Sequence, residues 1–129
     1  MENRRWKVLI VEDDVLIAWS MDEVLTLVGF DVVAVATSVG EALSIAEDTH
    51  PDLAIFDVRL AGRRDGIEGA ALLRERLGLP AVFVTARGDS AARQRISKAG
   101  AAGCLDKPVH YKQLISVVKA ALGAHDSNA

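Results

Sequence analysis

Five short apolar runs alternate with five longer segments of helical spacing, and this alternation restricts the chain to a small set of folds. The runs are rich in β-branched residues and cover residues 8–11, 32–36, 53–56, 81–84 and, more weakly, 103–105. The helical segments cover residues 15–28, 39–47, 67–77, 90–99 and 109–122. Such alternation predicts repeated βαβ units, and strands that are continuously apolar predict a parallel sheet covered on both faces. We therefore expect an α/β fold.

The length and composition fit one globular domain. The chain has 129 residues, half of them hydrophobic and 26% charged, which excludes a disordered chain. We expect a single domain over residues 1–122 and a C-terminal tail over 123–129. The net charge of −3 argues against direct DNA binding. No apolar run approaches the ~20 residues of a membrane span, so we expect a cytoplasmic protein without membrane contact.

Two helix starts can be read from local chemistry. Thr37 or Ser38 is placed to cap the second helix, and Glu41 is spaced for a capping box with Ser38. Pro108 suits the first turn of the fifth helix, because proline lacks the amide hydrogen that is unpaired there.

Acidic and polar residues follow the predicted strands. Glu12, Asp13 and Asp14 come after the first strand, Asp57 ends the third, and Thr85 follows the fourth. A lysine, Lys107, comes shortly after the fifth strand. In an open parallel sheet, ligands bind beyond the carboxyl ends of the strands. We therefore expect these side chains to meet at one edge of the sheet.

This set of residues suits phosphoryl transfer. Converging carboxylates repel each other and favour Mg²⁺, which prefers oxygen ligands. Lys107 and Thr85 can contact phosphoryl oxygens, while Asp57 is placed to act as a nucleophile. Taken singly, each residue is an ordinary turn former or helix cap. The ordered set is what predicts phosphoryl transfer onto Asp57.

The same segments resemble a response-regulator receiver domain, the phosphorylated part of bacterial two-component systems. The resemblance rests on VLIVEDD at residues 8–14, LAIFD at 53–57, DG at 65–66, VFVTA at 82–86 and LDKP at 105–108. It covers residues 7–122. It implies the flavodoxin-like receiver fold, a five-stranded parallel sheet in the order 2-1-3-4-5 with five flanking helices.

The resemblance also implies a role for each residue of the acidic site. Asp57 accepts a phosphoryl group from a phosphohistidine and becomes an aspartyl phosphate. Asp13, Asp57 and the backbone carbonyl of Arg59 bind Mg²⁺ directly, and Glu12 holds the ion through water. Lys107 contacts the acyl phosphate.

The resemblance further implies a conformational switch, and one residue departs from the family pattern. Thr85 turns toward the phosphoryl group and moves the loop after the fourth strand. The Lys107–Pro108 peptide bond is expected to be cis. The aromatic residue that usually moves with the threonine is replaced by Cys104, which cannot swing a ring between surface and interior.

The first helix carries two apolar faces. Ile17, Met21, Val24, Leu25 and Val28 share the face expected to pack in the core. Leu16, Trp19 and Leu27 lie on another face, roughly 120° away at the helical period. These three are either the margin of a wide core face or a docking surface for a helical phosphodonor protein.

We interpret the chain as a stand-alone response regulator of a two-component phosphorelay. Its expected partners are a histidine kinase or histidine phosphotransfer protein and a downstream protein target. It is not expected to be an enzyme beyond self-phosphorylation and autodephosphorylation. One alternative is a phosphorylation-independent scaffold, although Glu12, Asp13, Asp57, Thr85 and Lys107 are all present. A second alternative, an aspartate-based phosphohydrolase, normally needs a second aspartate where this chain has Arg59.

Overall fold

The computed structural model describes residues 5–60, 62 and 64–127, with side chains to residue 123. The strands are β1 (Lys7–Val11), β2 (Asp31–Ala36), β3 (Leu53–Asp57), β4 (Ala81–Thr85) and β5 (Gly103–Asp106). The helices are α1 (Val15–Leu27), α2 (Val39–Thr49), α3 (Gly66–Leu77), α4 (Ser90–Ala99) and α5 (Tyr111–Ser127). All five predicted strands and all five predicted helices are therefore present.

The strands form one parallel sheet in the order β2-β1-β3-β4-β5, which confirms the predicted fold. Every residue of β3 is buried, because β3 is the central strand and helices cover both of its faces. Helices α1 and α5 pack on one face around Leu25 and Leu114. Helices α2, α3 and α4 pack on the other face around Phe56 and Leu73. This order places the carboxyl ends of β1 and β3 side by side at the middle of one sheet edge.

The predicted cap of α2 is present with one change. Ser38 caps the helix and its hydroxyl accepts the backbone amide of Glu41 at 3.2 Å. The Glu41 carboxylate, however, accepts from the amide of Thr37 at 2.7 Å and not from that of Ser38. A complete capping box occurs instead at α3, between Asp65 and Glu68. The sequence did not predict this capping box.

The fifth helix differs from its predicted bounds at both ends. It begins at Tyr111, so the expectation that Pro108 lies in its first turn was wrong. The Lys107–Pro108 peptide is cis, as the family resemblance implied. The helical backbone continues past residue 122 to Ser127. Residues 128–129 of the expected tail lie outside the described residues, and the division into domain and tail stays a prediction.

Within the described part of the chain, no helix is long and apolar enough to cross a membrane.

Candidate functional site

Three carboxylates converge where β1 and β3 end. Glu12 and Asp13 follow β1, and Asp57 is the last residue of β3. Since Val11 is paired with Phe56 in the parallel register, the next residue on each strand comes to the same place. One carboxylate oxygen from each of the three acids lies within 4.8 Å of the other two. Glu12 and Asp57 are buried, whereas Asp13 is exposed to solvent.

Lys107 brings a positive charge to this cluster. It follows β5, and its Nζ donates to Asp57 Oδ2 at 3.1 Å. The same Nζ lies 3.9 Å from Glu12 Oε1. One ammonium group therefore faces two buried carboxylates and compensates only part of their charge.

The backbone around Asp57 is tightly fixed. The amide of Arg59 donates to Asp57 Oδ1 at 3.3 Å, and the amide of Gly66 donates to the Val58 carbonyl at 2.8 Å. A Cβ atom on Gly66 would lie 1.9 Å from the Asp57 carbonyl oxygen, so only glycine fits where α3 begins. The orientation of the loop that follows Asp57 therefore depends on this contact. The use of the Arg59 carbonyl as a metal ligand stays a prediction.

The electrostatics of the cluster favour a bound cation. Burial raises the pKa of the Glu12 carboxyl to about 8, and the neighbouring Asp57 carboxyl acts in the same direction. Glu12 Oε1 is buried without a hydrogen-bond partner in the described part of the chain. Three carboxylates with one incompletely bonded oxygen match the all-oxygen ligand set of Mg²⁺. The residues therefore fit the ion that the sequence predicted. That Asp13 and Asp57 bind it directly and Glu12 through water stays a prediction.

Thr85 lies beside this cluster at the end of β4. Its side chain is buried, and its Oγ1 has no hydrogen-bond partner among the described residues. Its backbone carbonyl accepts the amide of Lys107 at 2.9 Å. The strand is thus anchored to the segment that carries the lysine, while the threonine hydroxyl is left without a bond. An unbonded buried hydroxyl is free to turn toward a new acceptor.

Cys104 occupies β5 and is half-buried. Burial raises the pKa of its thiol, which keeps the group protonated and unreactive at neutral pH. It packs as a small apolar side chain at the margin of the core. The structure therefore supports a packing role for this residue.

The second apolar face of α1 is exposed. Leu16, Trp19 and Leu27 are 72%, 63% and 80% accessible, so they are not the margin of a wide core face. Val28, which the periodicity placed in the core, is also exposed, and that assignment was wrong. The reason is that α1 ends at Leu27 and Val28 serves as its cap. Residue Ala18, which the periodicity did not select, is buried instead.

Ion pairs around α4 were not found from the sequence. Asp89 caps α4 and lies 3.7 Å from the Arg59 guanidinium. Arg95 donates to Asp65 at 2.6 Å. Burial opposes ionisation of Asp65, yet the bonds from Arg95 and from the Glu68 amide outweigh it, so the pKa of Asp65 lies below its ordinary value. No local signal in the sequence indicates pairs between distant segments.

The fold and the acidic cluster define a receiver domain. The family model described as the response regulator receiver domain matches residues 8–119. The chain belongs to this family, and it is a receiver domain of two-component signalling, homologous to response regulators.

Curated relatives include two mycobacterial regulators. The chain is 36% identical over 116 residues to the transcriptional regulatory protein PdtaR of Mycobacterium tuberculosis, an alignment that covers 90% of this chain and 56% of the relative. It is 32% identical over 126 residues to the DNA-binding response regulator MtrA of Mycobacterium bovis, covering 98% of this chain and 54% of the relative. The chain therefore spans about half the length of these relatives.

Solved structures show the same fold over whole domains. The signal receiver domain of a modulated diguanylate cyclase from Desulfovibrio desulfuricans G20 superposes with a TM-score of 0.91 at 34% identity, covering 98% of this chain and 100% of that one. A CheY-like receiver domain protein from Methanospirillum hungatei JF-1 gives a TM-score of 0.87 at 28% identity, covering 98% and 100%. These matches support the strand order and helix arrangement described above.

Proposed function

We propose that this domain accepts a phosphoryl group from a phosphohistidine onto Asp57, with Mg²⁺ bound, and then signals to a downstream protein. The observation that carries the proposal is the placement of Asp57. Its carboxylate is buried between Lys107, at 3.1 Å, and the acids Glu12 and Asp13. A carboxylate so placed has one cationic neighbour and a site for a second cation, which is the arrangement that phosphoryl transfer requires.

In the proposed reaction, an Asp57 oxygen attacks phosphorus. The new O–P bond forms as the P–N bond to the donor histidine breaks, and the released imidazole takes a proton from solvent. Bound Mg²⁺ would neutralise charge on the transferring phosphoryl oxygens. The Arg59 amide holds Asp57 Oδ1 in place, which leaves the carboxylate correctly oriented for the incoming group. Later hydrolysis of the aspartyl phosphate returns the domain to its starting state.

Lys107 and Thr85 would contact the phosphoryl group after transfer. The Lys107 ammonium is already within hydrogen-bond reach of Asp57, so it needs little movement to bind a phosphoryl oxygen. The Thr85 hydroxyl has no partner in the described structure and would gain one by turning to the phosphate. That turn would move the end of β4 and the loop that leads to α4, and the movement would carry the signal.

The exposed face of α1 is the proposed docking surface for the phosphodonor. Leu16, Trp19 and Leu27 are exposed apolar side chains, and tryptophan is a frequent anchor of protein interfaces. Leu16 also lines an apolar groove that includes Lys107 and Pro108, which places this surface next to the acidic cluster. A histidine kinase or a helical phosphotransfer protein that covers it would bring its histidine to Asp57.

The scaffold alternative is not favoured. A phosphorylation-independent scaffold has no need of two buried carboxylates beside a lysine, because burying charge lowers stability unless it is paired. The phosphohydrolase alternative lacks its second acid, since Arg59 stands in that place. That the domain does not bind DNA directly, and that it works in the cytoplasm, stay predictions.

Phosphorylation of variants tests the proposal. With Mg²⁺ and acetyl phosphate, mass spectrometry should show one base-labile phosphoryl group on the wild-type chain and none on Asp57→Asn. Asp48→Asn, an identical change on the exposed surface of α2, should label normally. Normal labelling of Asp57→Asn would refute the assignment.

The same assay with a protein donor tests the docking surface. Trp19→Ala should slow transfer from the cognate histidine phosphotransfer protein about tenfold or more, while its rate with acetyl phosphate stays within twofold of wild type. Tyr111→Ala, which removes another exposed aromatic ring, should change neither rate. If both rates of Trp19→Ala fall together, the residue supports the fold and does not dock the donor.

A further inference from the structure

Helix α4 is held in place by charged side chains more than by apolar packing. Its sequence, SAARQRISKA, is polar, and it buries Ala92 and Ile96, whereas α3 buries five residues. Two of its arginines, Arg93 and Arg95, are each paired with an aspartate of a neighbouring element. The position of α4 therefore depends on where these aspartates lie.

The pair made by Arg95 ends beside Asp57. Arg95 donates to Asp65 at 2.6 Å, and Asp65 is the cap of α3. The next residue, Gly66, lies against the Asp57 backbone, since a Cβ atom there would be 1.9 Å from the Asp57 carbonyl oxygen. The Asp65 carboxylate also accepts from the Glu68 amide at 2.9 Å, which fixes it on α3. The middle of α4 is therefore tied to the start of α3, next to Asp57.

Two further pairs, nearer the amino end of α4, also end on the acidic site. Arg93 is paired with Asp106, which directly precedes Lys107 in the chain. Asp89, the cap of α4, lies 3.7 Å from the guanidinium of Arg59, which belongs to the loop that follows β3. Within the described residues, all three ion pairs around α4 thus lead to segments that carry the acidic site.

The carboxyl end of α4 is tied to a point away from the site. Nη1 of Arg74, in the last turn of α3, donates to the carbonyls of Ala99 at 2.7 Å and Gly100 at 3.2 Å. A Cβ atom on Gly100 would lie 2.5 Å from this nitrogen, so a larger residue there would displace the guanidinium. Since α3 begins at Gly66, Arg74 lies about 12 Å along the helix from the end next to Asp57. Its bonds therefore anchor the carboxyl end of α4 away from Asp57.

We propose that phosphorylation of Asp57 turns the amino half of α4 through its ion pairs, while Arg74 holds the carboxyl end in place. Lys107 shifts as it transfers its bond from the Asp57 carboxylate to a phosphoryl oxygen. Asp106 is the preceding residue, so it moves with Lys107, and Arg93 follows its aspartate. Arg74 and Arg93 are thus positioning residues, because they act on the response without contacting the phosphoryl group. The proposal names how the acidic site controls α4 and so rests on the proposed function.

This route does not need an aromatic ring on β5. Thr85 acts on the loop before α4, whereas the ion pairs act on the helix itself. Cys104, a half-buried residue of β5, is too small to transmit a movement by a change of ring position. One exposed ion pair changes an equilibrium about fivefold at most, so the pairs can be shifted at little cost. Exposed pairs are also screened by salt, which a purely apolar contact is not.

Amide NMR shifts test the proposal, with Mg²⁺ and beryllofluoride as the phosphoryl analogue. In the wild-type chain, the changes within α4 should be largest at the amino end and decline toward the carboxyl end. Arg93→Gln combined with Arg95→Gln should reduce the changes within α4 about threefold or more and leave those of residues 86–88 nearly intact. Arg76→Gln combined with Lys98→Gln is the matched control, since these two cations form no ion pair in the described part of the chain, and it should respond like wild type.

A variant of the anchor tests the fixed end. Arg74→Gln should extend the shift changes to residues 97–100, because that end is then free to move, and about 1 M KCl should reduce the changes within α4 of the wild-type chain. Even changes along the wild-type helix, full changes in the double variant of Arg93 and Arg95, or an unaltered pattern in Arg74→Gln would each overturn the proposal. A double variant that is labelled normally by acetyl phosphate but keeps its full α4 response refutes the ion-pair route alone. A wild-type chain that neither labels nor shifts refutes the proposed function and this route together.

Discussion

The site lies at the carboxyl end of the sheet, and its two halves are built differently: one half is formed by β1 and β3, the other by β4 and β5. At the ends of β1 and β3, Glu12 and Asp57 are buried, and Asp57 accepts bonds from Lys107 and from the Arg59 amide. At the end of β4, the Thr85 hydroxyl has no partner among the described residues, and Cys104 on β5 is only half-buried. The acceptor half, where phosphorylation is proposed, is therefore fixed before any phosphoryl group arrives. The responding half is held by fewer bonds and has room to change.

The neighbouring helices show the same contrast. Five residues of α3 are buried, and its first residue lies against the Asp57 backbone. Helix α4 buries only Ala92 and Ile96, and ion pairs from Arg93 and Arg95 join it to its neighbours. Exposed ion pairs contribute at most about 1 kcal/mol each, so α4 is the more easily displaced helix. Under the proposed function, Asp57 reacts in the firmly held part of the site and α4 moves, so different elements carry the reaction and the movement.

The largest effect, on the free energy of unfolding, is expected from Glu12, a buried acid of the acceptor half. Because the pKa of Glu12 is raised to about 8 in the folded protein, the unfolded chain releases this proton first as pH rises. Without metal, the free energy of unfolding should therefore fall between about pH 5 and pH 8, by an amount on the order of 4 kcal/mol, because each pH unit between the two pKa values costs about 1.4 kcal/mol. Urea unfolding in EDTA at several pH values measures this. Glu12→Gln should lose most of the dependence, and an unchanged dependence would show that other groups cause it.

A smaller effect, on the affinity for Mg²⁺, is expected from Asp13, the exposed acid of the same cluster. Asp13→Asn removes one charged ligand from the proposed Mg²⁺ site, and the affinity for Mg²⁺ should fall about tenfold or more, as measured by calorimetric titration. Asp14→Asn makes the same change one residue later, where the side chain caps α1, and should retain nearly normal affinity. Equal losses in both variants would mean that general negative charge, and not a ligand set, attracts the ion.

The smallest effect on stability is expected in the responding half. The hydroxyl of Thr85 makes no hydrogen bond within the described structure, so Thr85→Val should change the free energy of unfolding by less than about 1 kcal/mol. The same variant should lose most of the NMR shift changes that beryllofluoride, a phosphoryl analogue, causes between β4 and α4. Thr85→Ser keeps the hydroxyl and should retain them. Full shift changes in Thr85→Val would show that this hydroxyl does not start the response.

The sequence predicted the covered parallel sheet and the acidic cluster because both depend on regular patterns. Continuous apolar strands predict a covered parallel sheet, and parallel strands place Glu12 and Asp57 at one edge. The family resemblance supplied the strand order and the roles. The errors at Val28 and Pro108 both concern helix ends. Periodicity does not mark where a helix stops, so Val28 was wrongly placed in the core. A proline preference does not mark where a helix starts, so Pro108 was wrongly placed in the first turn of α5.

Contacts between distant segments could not be read from the sequence. The pair between Arg95 and Asp65 joins residues thirty positions apart, and no local pattern specifies it. The exposure of Trp19 was likewise open, because helical spacing separates two faces without saying which of them is covered. In each case the missing information is the packing of one helix against another.

The contact between Gly66 and the backbone of Asp57 has a consequence for insertions and deletions during evolution. Val58 and Gly66 are joined by a hydrogen bond, so the intervening segment is a closed ring whose two ends are fixed at the site. The entropy cost of enlarging a ring grows slowly with its length. Residues can therefore be gained or lost between Leu60 and Asp65 while Asp57 keeps its position. Changes in length are tolerated there, whereas replacement of the glycine that closes the ring is not.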